Sequence, residues 1–206
     1  MLLADDGRYN ERMSGEDDTM MPVSSGVKLT YEDFLLFPDD GKRHELIDGE
    51  HYVTPCPNTK HQRISGNFYW LLRSYLERNR IGEAFYAPFD IVFSQFDVVE
   101  PDLLYMSKER ASTILTSKHV EGTPELVIEI GSKSTRKRDE TIKRQLYRRT
   151  GVSEYWVVDP ELDVLRVYRP EDGFERPHEL SREAGDVLTT SLLPGLELPL
   201  AAIFKE

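Results

Sequence analysis

The stretch Glu125-Leu126-Val127-Ile128-Glu129-Ile130-Gly131 constrains this chain more than any other. It reads as the clearest buried strand in the sequence, with one anomaly inside it. Alternation sets Leu126, Ile128 and Ile130 on one face and Val127, Glu129 and Gly131 on the other. A buried carboxylate is costly unless something pairs with it. The ordinary reading makes Glu129 a solvent-facing residue of an edge strand. Against it, Val127 on the same face is apolar, and Gly131 leaves open space, as a metal ion and a phosphate would need. A second carboxylate, Asp102 in Pro101-Asp102-Leu103-Leu104, also sits where a strand prefers apolar side chains. Pro-Asp pairs are common at turns, so Asp102 gains its weight from Glu129.

Directly after the strand comes a basic run. From Lys133 to Arg149 there are eight Lys or Arg and two acids, a local excess of six positive charges. The whole chain carries −11, so the remainder carries −17. That balance argues against a general nucleic-acid binder, because phosphate affinity comes from Lys and Arg. It leaves a local phosphate-holding segment or a solvated helix face.

At 206 residues the chain suffices for one good-sized core, and no apolar run approaches the roughly 20 residues of a membrane span. Residues 1–26 are expected to be disordered, without the charged-then-apolar order of a secretory signal. A single cysteine, Cys56, excludes an intramolecular disulfide and a cysteine-based zinc site. A cytoplasmic location is the expectation.

The pattern predicts an α/β (α+β) chain in one domain, residues 27–206. Thr30 and Asp33 form a capping box opening a short helix through Phe37. His44–Val53 reads as a hairpin turned at Asp48-Gly49, and His61–Asn79 as an amphipathic helix closed by Gly82. Ala84–Phe93 reads as one strand with an edge or bulge at Pro88. Asp102–Met106 is a short strand followed by a loop. A helix spans about Arg138–Thr150 with Gly151 past its end, then Glu154–Asp159 and Val164–Tyr168 pair across Pro160. The tail reads as strand and loop.

Two hard oxygen ligands, Asp102 and Glu129, with the Ile130 carbonyl as a third, suit Mg²⁺, for which Mn²⁺ can substitute. Such an ion polarises a phosphate and activates water. His44, His51 and His61 lack useful zinc spacing and read as surface or hydrogen-bonding residues. Asp139, Lys143 and Tyr147, spaced by four, share one helix face.

The residues also carry a resemblance. Pro101-Asp102, then Glu125–Gly131 with Ser132-x-Ser134-Thr135, then Asp139-x-x-x-Lys143-x-x-x-Tyr147, then Gly151-Val152-x-Glu154-Tyr155-Trp156-Val157-Val158-Asp159-Pro160 resemble the Uma-type restriction endonucleases of the PD-(D/E)XK nuclease superfamily. Glu45–Glu50, the Pro57-x-x-x-His61-Gln62-Arg63-Ile64 helix start and Leu193-Pro194-Gly195-Leu196 match as well, so the likeness spans about residues 27 to 204. It implies a restriction-endonuclease-like core, a central mixed sheet flanked by helices. It implies Asp102 and Glu129 as metal carboxylates, with Glu45 as an additional acidic residue. The superfamily's lysine would fall on Gly131; the resemblance moves it to Lys143, with Lys133 as the rival. Arg136, Lys137, Arg138 and Arg144, with Lys133, are expected on DNA phosphates, and His61, Asp139 and Tyr147 are candidates to support the site. A homodimer is expected, because cutting both strands needs two sites. A nuclease-fold binding module without cleavage and a dimeric scaffold stay open as other classes.

Overall fold

The computed structural model describes residues 26–54, 56–131 and 136–206. The segment expected to be disordered lies outside these apart from Gly26, and so does Lys133. In chain order come α1 (Tyr31–Phe34), β1 (Arg43–Ile47), β2 (Glu50–Thr54), α2 (Thr59–Asn79), β3 (Gly82–Tyr86), β4 (Ile91–Ser94), β5 (Asp97–Val99) and β6 (Leu103–Ser107). Then follow α3 (Lys108–Ile114), β7 (Val120–Glu121), β8 (Leu126–Ile130), α4 (Arg136–Arg138), a π-helical turn (Asp139–Lys143) and α5 (Arg144–Thr150). The chain closes with β9 (Glu154–Asp159), β10 (Val164–Tyr168), β11 (His178–Ser181), β12 (Val187–Leu188), β13 (Leu198–Pro199) and α6 (Leu200–Ile203).

Where one central sheet was expected, the strands form two larger sheets and a small one. The first runs β2-β1-β5-β4-β7, the second β11-β10-β9-β8-β6-β3, and β12 pairs with β13. β8 is interior, antiparallel to β6 and parallel to β9, so Glu129 is not on an edge strand. One face of the six-stranded sheet, including Leu126, Ile128 and Trp156, packs on Phe68 and Leu72 of α2 and on α6. Its other face, including Val127 and Tyr155, packs on Tyr147 of α5 and on Ile47, Ile91 and Val99 of the five-stranded sheet. Each fully buried side chain of this size contributes about 1.5–3 kcal/mol.

Local chemistry explains most boundaries. The Thr30 capping box forms, but α1 ends at Phe34. Asp48 (φ 54) and Gly49 (φ 77) both take left-handed backbone, which the tight β1–β2 turn requires. α2 ends on Arg80 in the left-handed region, and Gly82 instead begins β3. The stretch Ala84–Phe93 splits between sheets around a cis Ala87–Pro88 bond. The expected loop after β6 is partly α3, capped by the Ser107 hydroxyl accepting from the Arg110 amide at 3.1 Å. Among the described residues no helix is long and apolar enough to cross a membrane.

Candidate active site

The chain passes from the five-stranded sheet to the six-stranded sheet through Glu100, Pro101 and Asp102, between β5 and β6. Leu103 pairs with Ile128, so one step further the register sets Asp102 beside Glu129. The Ile130 amide donates to Asp102 Oδ2 at 2.7 Å, with His61 Nε2 at 3.1 Å from the same oxygen. Arg43 Nη1 donates to Oδ1 at 2.6 Å, and its Nε lies 2.9 Å from Glu100 Oε1. Burial alone would raise the Asp102 carboxyl, but His61 and Arg43 outweigh it and hold it near 2. For Glu100 the balance goes the other way. Burial and the nearby Asp90, Glu45 and Asp102 overcome Arg43 and push it to about 7.

Opposite stands the helical segment. Asp139, Lys143 and Tyr147 are all buried, as their shared face requires. A π turn, a departure often found at functional sites, carries the first two. Lys143 Nζ lies 2.7 Å from Glu45 Oε1 and donates to Glu129 Oε1 at 2.8 Å. The Tyr147 hydroxyl donates to the same Glu129 oxygen at 2.7 Å. Burial disfavours the ammonium of Lys143, yet Glu129, Glu45 and Asp139 together hold it protonated. Glu129 shares that cation. Burial first, then Asp139, Asp102 and Glu45, raise its carboxyl to about 8 despite Lys143. One lysine serves several acids, so Glu129 is short of positive charge.

These groups border a cavity of about 460 Å³ outside the carboxyl ends of the parallel strands β8 and β9. Asp102, Glu129, Ile130, Gly131, Asp139 and Lys143 line it, with Arg43, Glu100, His61, Arg136 and Arg138. Counting Glu45 behind them, seven described carboxylates face five lysines and arginines. The donor chemistry thus suits a hard divalent cation, with carboxylates on the wall and a formal excess of two acidic over basic side chains. Among the described residues, however, no three His, Cys, Asp or Glu side chains gather closely enough to hold a metal ion.

The sequence matches the Uma2 family, described as "Putative restriction endonuclease", over residues 31–201. The chain belongs to this family. No curated protein sequence matches it. Among solved structures it is similar to one from Anabaena variabilis, described as "a putative nuclease belonging to DUF820". The TM-score is 0.72 at 22% identity, covering 85% of this chain and 97% of the other. The fold is accordingly that of a nuclease-like α+β chain, mixed sheets flanked by helices.

Within this Uma2 chain the structure brings Asp102, Glu129, Lys143, Asp139 and His61 to one cavity, with Tyr147 behind Glu129. Glu45 is fully buried behind Lys143 and is not on the wall. Of the residues expected on phosphates, Arg136 and Arg138 line the cavity; Lys137 and Arg144 do not. Arg144 instead donates to the Phe174 carbonyl at 2.6 Å and lies over the Tyr168 ring. Gly131 opens less space than its sequence suggested. A Cβ there would sit 3.3 Å from the Val158 carbonyl, a tight approach, and 4.0 Å from Asp139 Oδ2. Arg43 and Glu100 were missed. Each stands two residues before an acid already singled out, Glu45 or Asp102, and strand alternation of β1 alone puts Arg43 on the Glu45 side.

Proposed function

We propose that this Uma2 member is a cytoplasmic, divalent-metal-dependent endonuclease that hydrolyses DNA phosphodiester bonds. The observation that carries the reading is Glu129, a buried carboxylate on the cavity wall left short of positive charge even with Lys143 on it. Asp102, Glu129 and the Ile130 carbonyl would hold Mg²⁺, or Mn²⁺ in its place. When bound, the ion supplies a polarised phosphate, an activated water and neutralisation of the leaving oxygen.

The side chains do the rest. Glu129, Glu45 and Asp139 favour the ammonium form of Lys143, which suits it to stabilise negative charge. Glu45 and Glu129 take two of its three protons, leaving one for the attacking water or a phosphate oxygen, where negative charge builds in the transition state. Glu45 thus positions Lys143 from behind rather than holding the metal. His61 and the Ile130 amide orient Asp102, and the Tyr147 hydroxyl orients Glu129. Arg136 and Arg138 contact backbone phosphates, which position a duplex without reading its sequence. Two copies related by a two-fold axis would cut both strands; a mass of one chain in light scattering would remove that part of the reading.

The test is nicking of supercoiled plasmid in Mg²⁺ or Mn²⁺ by wild type, Asp102→Ala, Glu129→Ala and Lys143→Ala. Activity should require metal and vanish in all three variants; equal activity in all four sinks the assignment. Adding Lys133→Ala decides between the two lysines.

A further inference from the structure

Arg43 has no place in the chemistry above, yet it makes the shortest described contact to Asp102. Its Nη1 donates to Oδ1 at 2.6 Å, while Nε stays 2.9 Å from Glu100 at the junction of the sheets. The other oxygen, Oδ2, is already taken by the Ile130 amide and His61. Oδ1 is therefore the face of Asp102 that a metal ion must use. Arg43 also lines the cavity and begins β1 directly after the exposed residues 40–42, and its side chain is 19% exposed.

We infer that Arg43 is a displaceable counter-ion: it occupies Oδ1 of Asp102 until a divalent ion takes that oxygen, and then turns, still tethered to Glu100, onto the phosphate of the substrate. The inference rests on the metal reading above. The physical reason is charge. A guanidinium and a divalent ion on one carboxylate oxygen would lie within a few ångströms of each other, a separation at which like charges repel strongly. Without the metal, Arg43 offsets the buried charge of Asp102, which would otherwise be costly. A planar fork suits both partners, since it binds carboxylate and phosphate oxygens equally well. The ion and the arginine thus compete for Oδ1, and the substrate phosphate favours the exchange.

Calorimetric titration of the metal-free full chain with Mn²⁺, without DNA, separates the possibilities. The set is wild type, Asp102→Asn, Arg43→Met and Arg43→Lys. Displacement predicts that Mn²⁺ binds at least about tenfold tighter to Arg43→Met, the scale of one lost charge-assisted hydrogen bond. Arg43→Lys keeps the charge but cannot span Glu100 and Asp102 together, so it should also bind tighter, by a smaller factor. Both variants should cleave plasmid more slowly than wild type at saturating metal. Tightening in Met but not in Lys would mean long-range charge alone, and it would overturn the inference. Equal or weaker binding in both would overturn it as well, while loss of binding in Asp102→Asn kept the metal reading intact. Binding in none of the four proteins, Arg43→Met included, would remove both. If Arg43→Met does not fold, Arg43→Lys against wild type decides alone.

Discussion

Two buried glutamates on neighbouring strands have opposite fates. Glu154 opens β9 and Glu129 sits near the end of β8, and both are almost inaccessible to solvent. Glu154 is fully matched. Its Oε2 accepts from the Trp156 indole at 2.7 Å, and its Oε1 accepts from Arg169 at 2.9 Å and Thr190 at 2.8 Å. This ties the tail after β11 to the main sheet, and Glu154 itself lies off the wall of the 460 Å³ cavity. Glu129 has two donors on one oxygen, but Asp139, Asp102 and Glu45 crowd it. Glu154 is surrounded by donors, whereas Glu129 is surrounded largely by other acids.

Glu129→Gln and Glu154→Gln set the contrast most sharply. DNA cleavage should fall at least about a hundredfold in the first and stay within a few-fold of wild type in the second. A plasmid assay that reversed this order would break the comparison. On stability the order inverts. Glu154→Ala removes the carboxylate partner of the part-buried Arg169 guanidinium and leaves the Trp156 indole unpaired, and should cost about 2 kcal/mol in urea denaturation at neutral pH. A cost no larger than that of an ordinary surface substitution would show Glu154 to be dispensable.

The next effect is one of pH. The Glu129 carboxyl is raised in the folded chain, from the usual 4.5 to about 8, so folding takes up a proton there. Its contribution to stability is intact below about 4.5 and is lost as the pH climbs towards 8. Glu129→Gln has no such loss. In thermal denaturation of the metal-free proteins, the variant should gain on wild type between pH 5 and pH 9. A gap that stays flat or shrinks would mean Glu129 is not short of positive charge.

The smallest effect belongs to Asp97, whose carboxylate accepts from Arg149 at 3.0 Å and from the Asp48 amide at 2.9 Å. Burial raises its carboxyl, but Arg149 and the Asp48 amide prevail and lower it. Arg149 is nearly half exposed, so Arg149→Ala should cost only about 1 kcal/mol at neutral pH. A depressed carboxyl stabilises above its unfolded value and stops doing so as acid protonates it. The difference between wild type and Arg149→Ala should therefore close in strong acid, and a difference that persists there would assign Arg149 a packing role instead.

The parts of this design that were legible in the sequence are those that one segment specifies alone. The alternation of β8, the Asp48-Gly49 turn, the four-residue spacing of Asp139, Lys143 and Tyr147, and Gly151 past α5 (φ 81) all speak locally. The division into two sheets does not, because Pro88 within Ala84–Phe93 reads equally well as an edge or bulge of one strand and as a change of sheet. α3 hid behind Ser, Thr and Lys residues typical of a loop. In the site, Glu45 was found, but only packing shows that it is buried off the cavity wall and paired with Lys143. Arg43 went unseen because an arginine at the start of a strand looks like any solvated charge until its partner, nearly sixty residues on, is folded against it.

The passage of the chain between sheets at Glu100-Pro101-Asp102 has a further consequence. These residues are at once the bridge between two sheets and the holder of a principal carboxylate. One residue added between Val99 and Leu103 would shift the register of β6 against β8 and, by alternation, turn Asp102 to the other face. The bridge has a fixed length. Here architecture and chemistry draw on the same three peptide units, so neither can be altered while the other is spared.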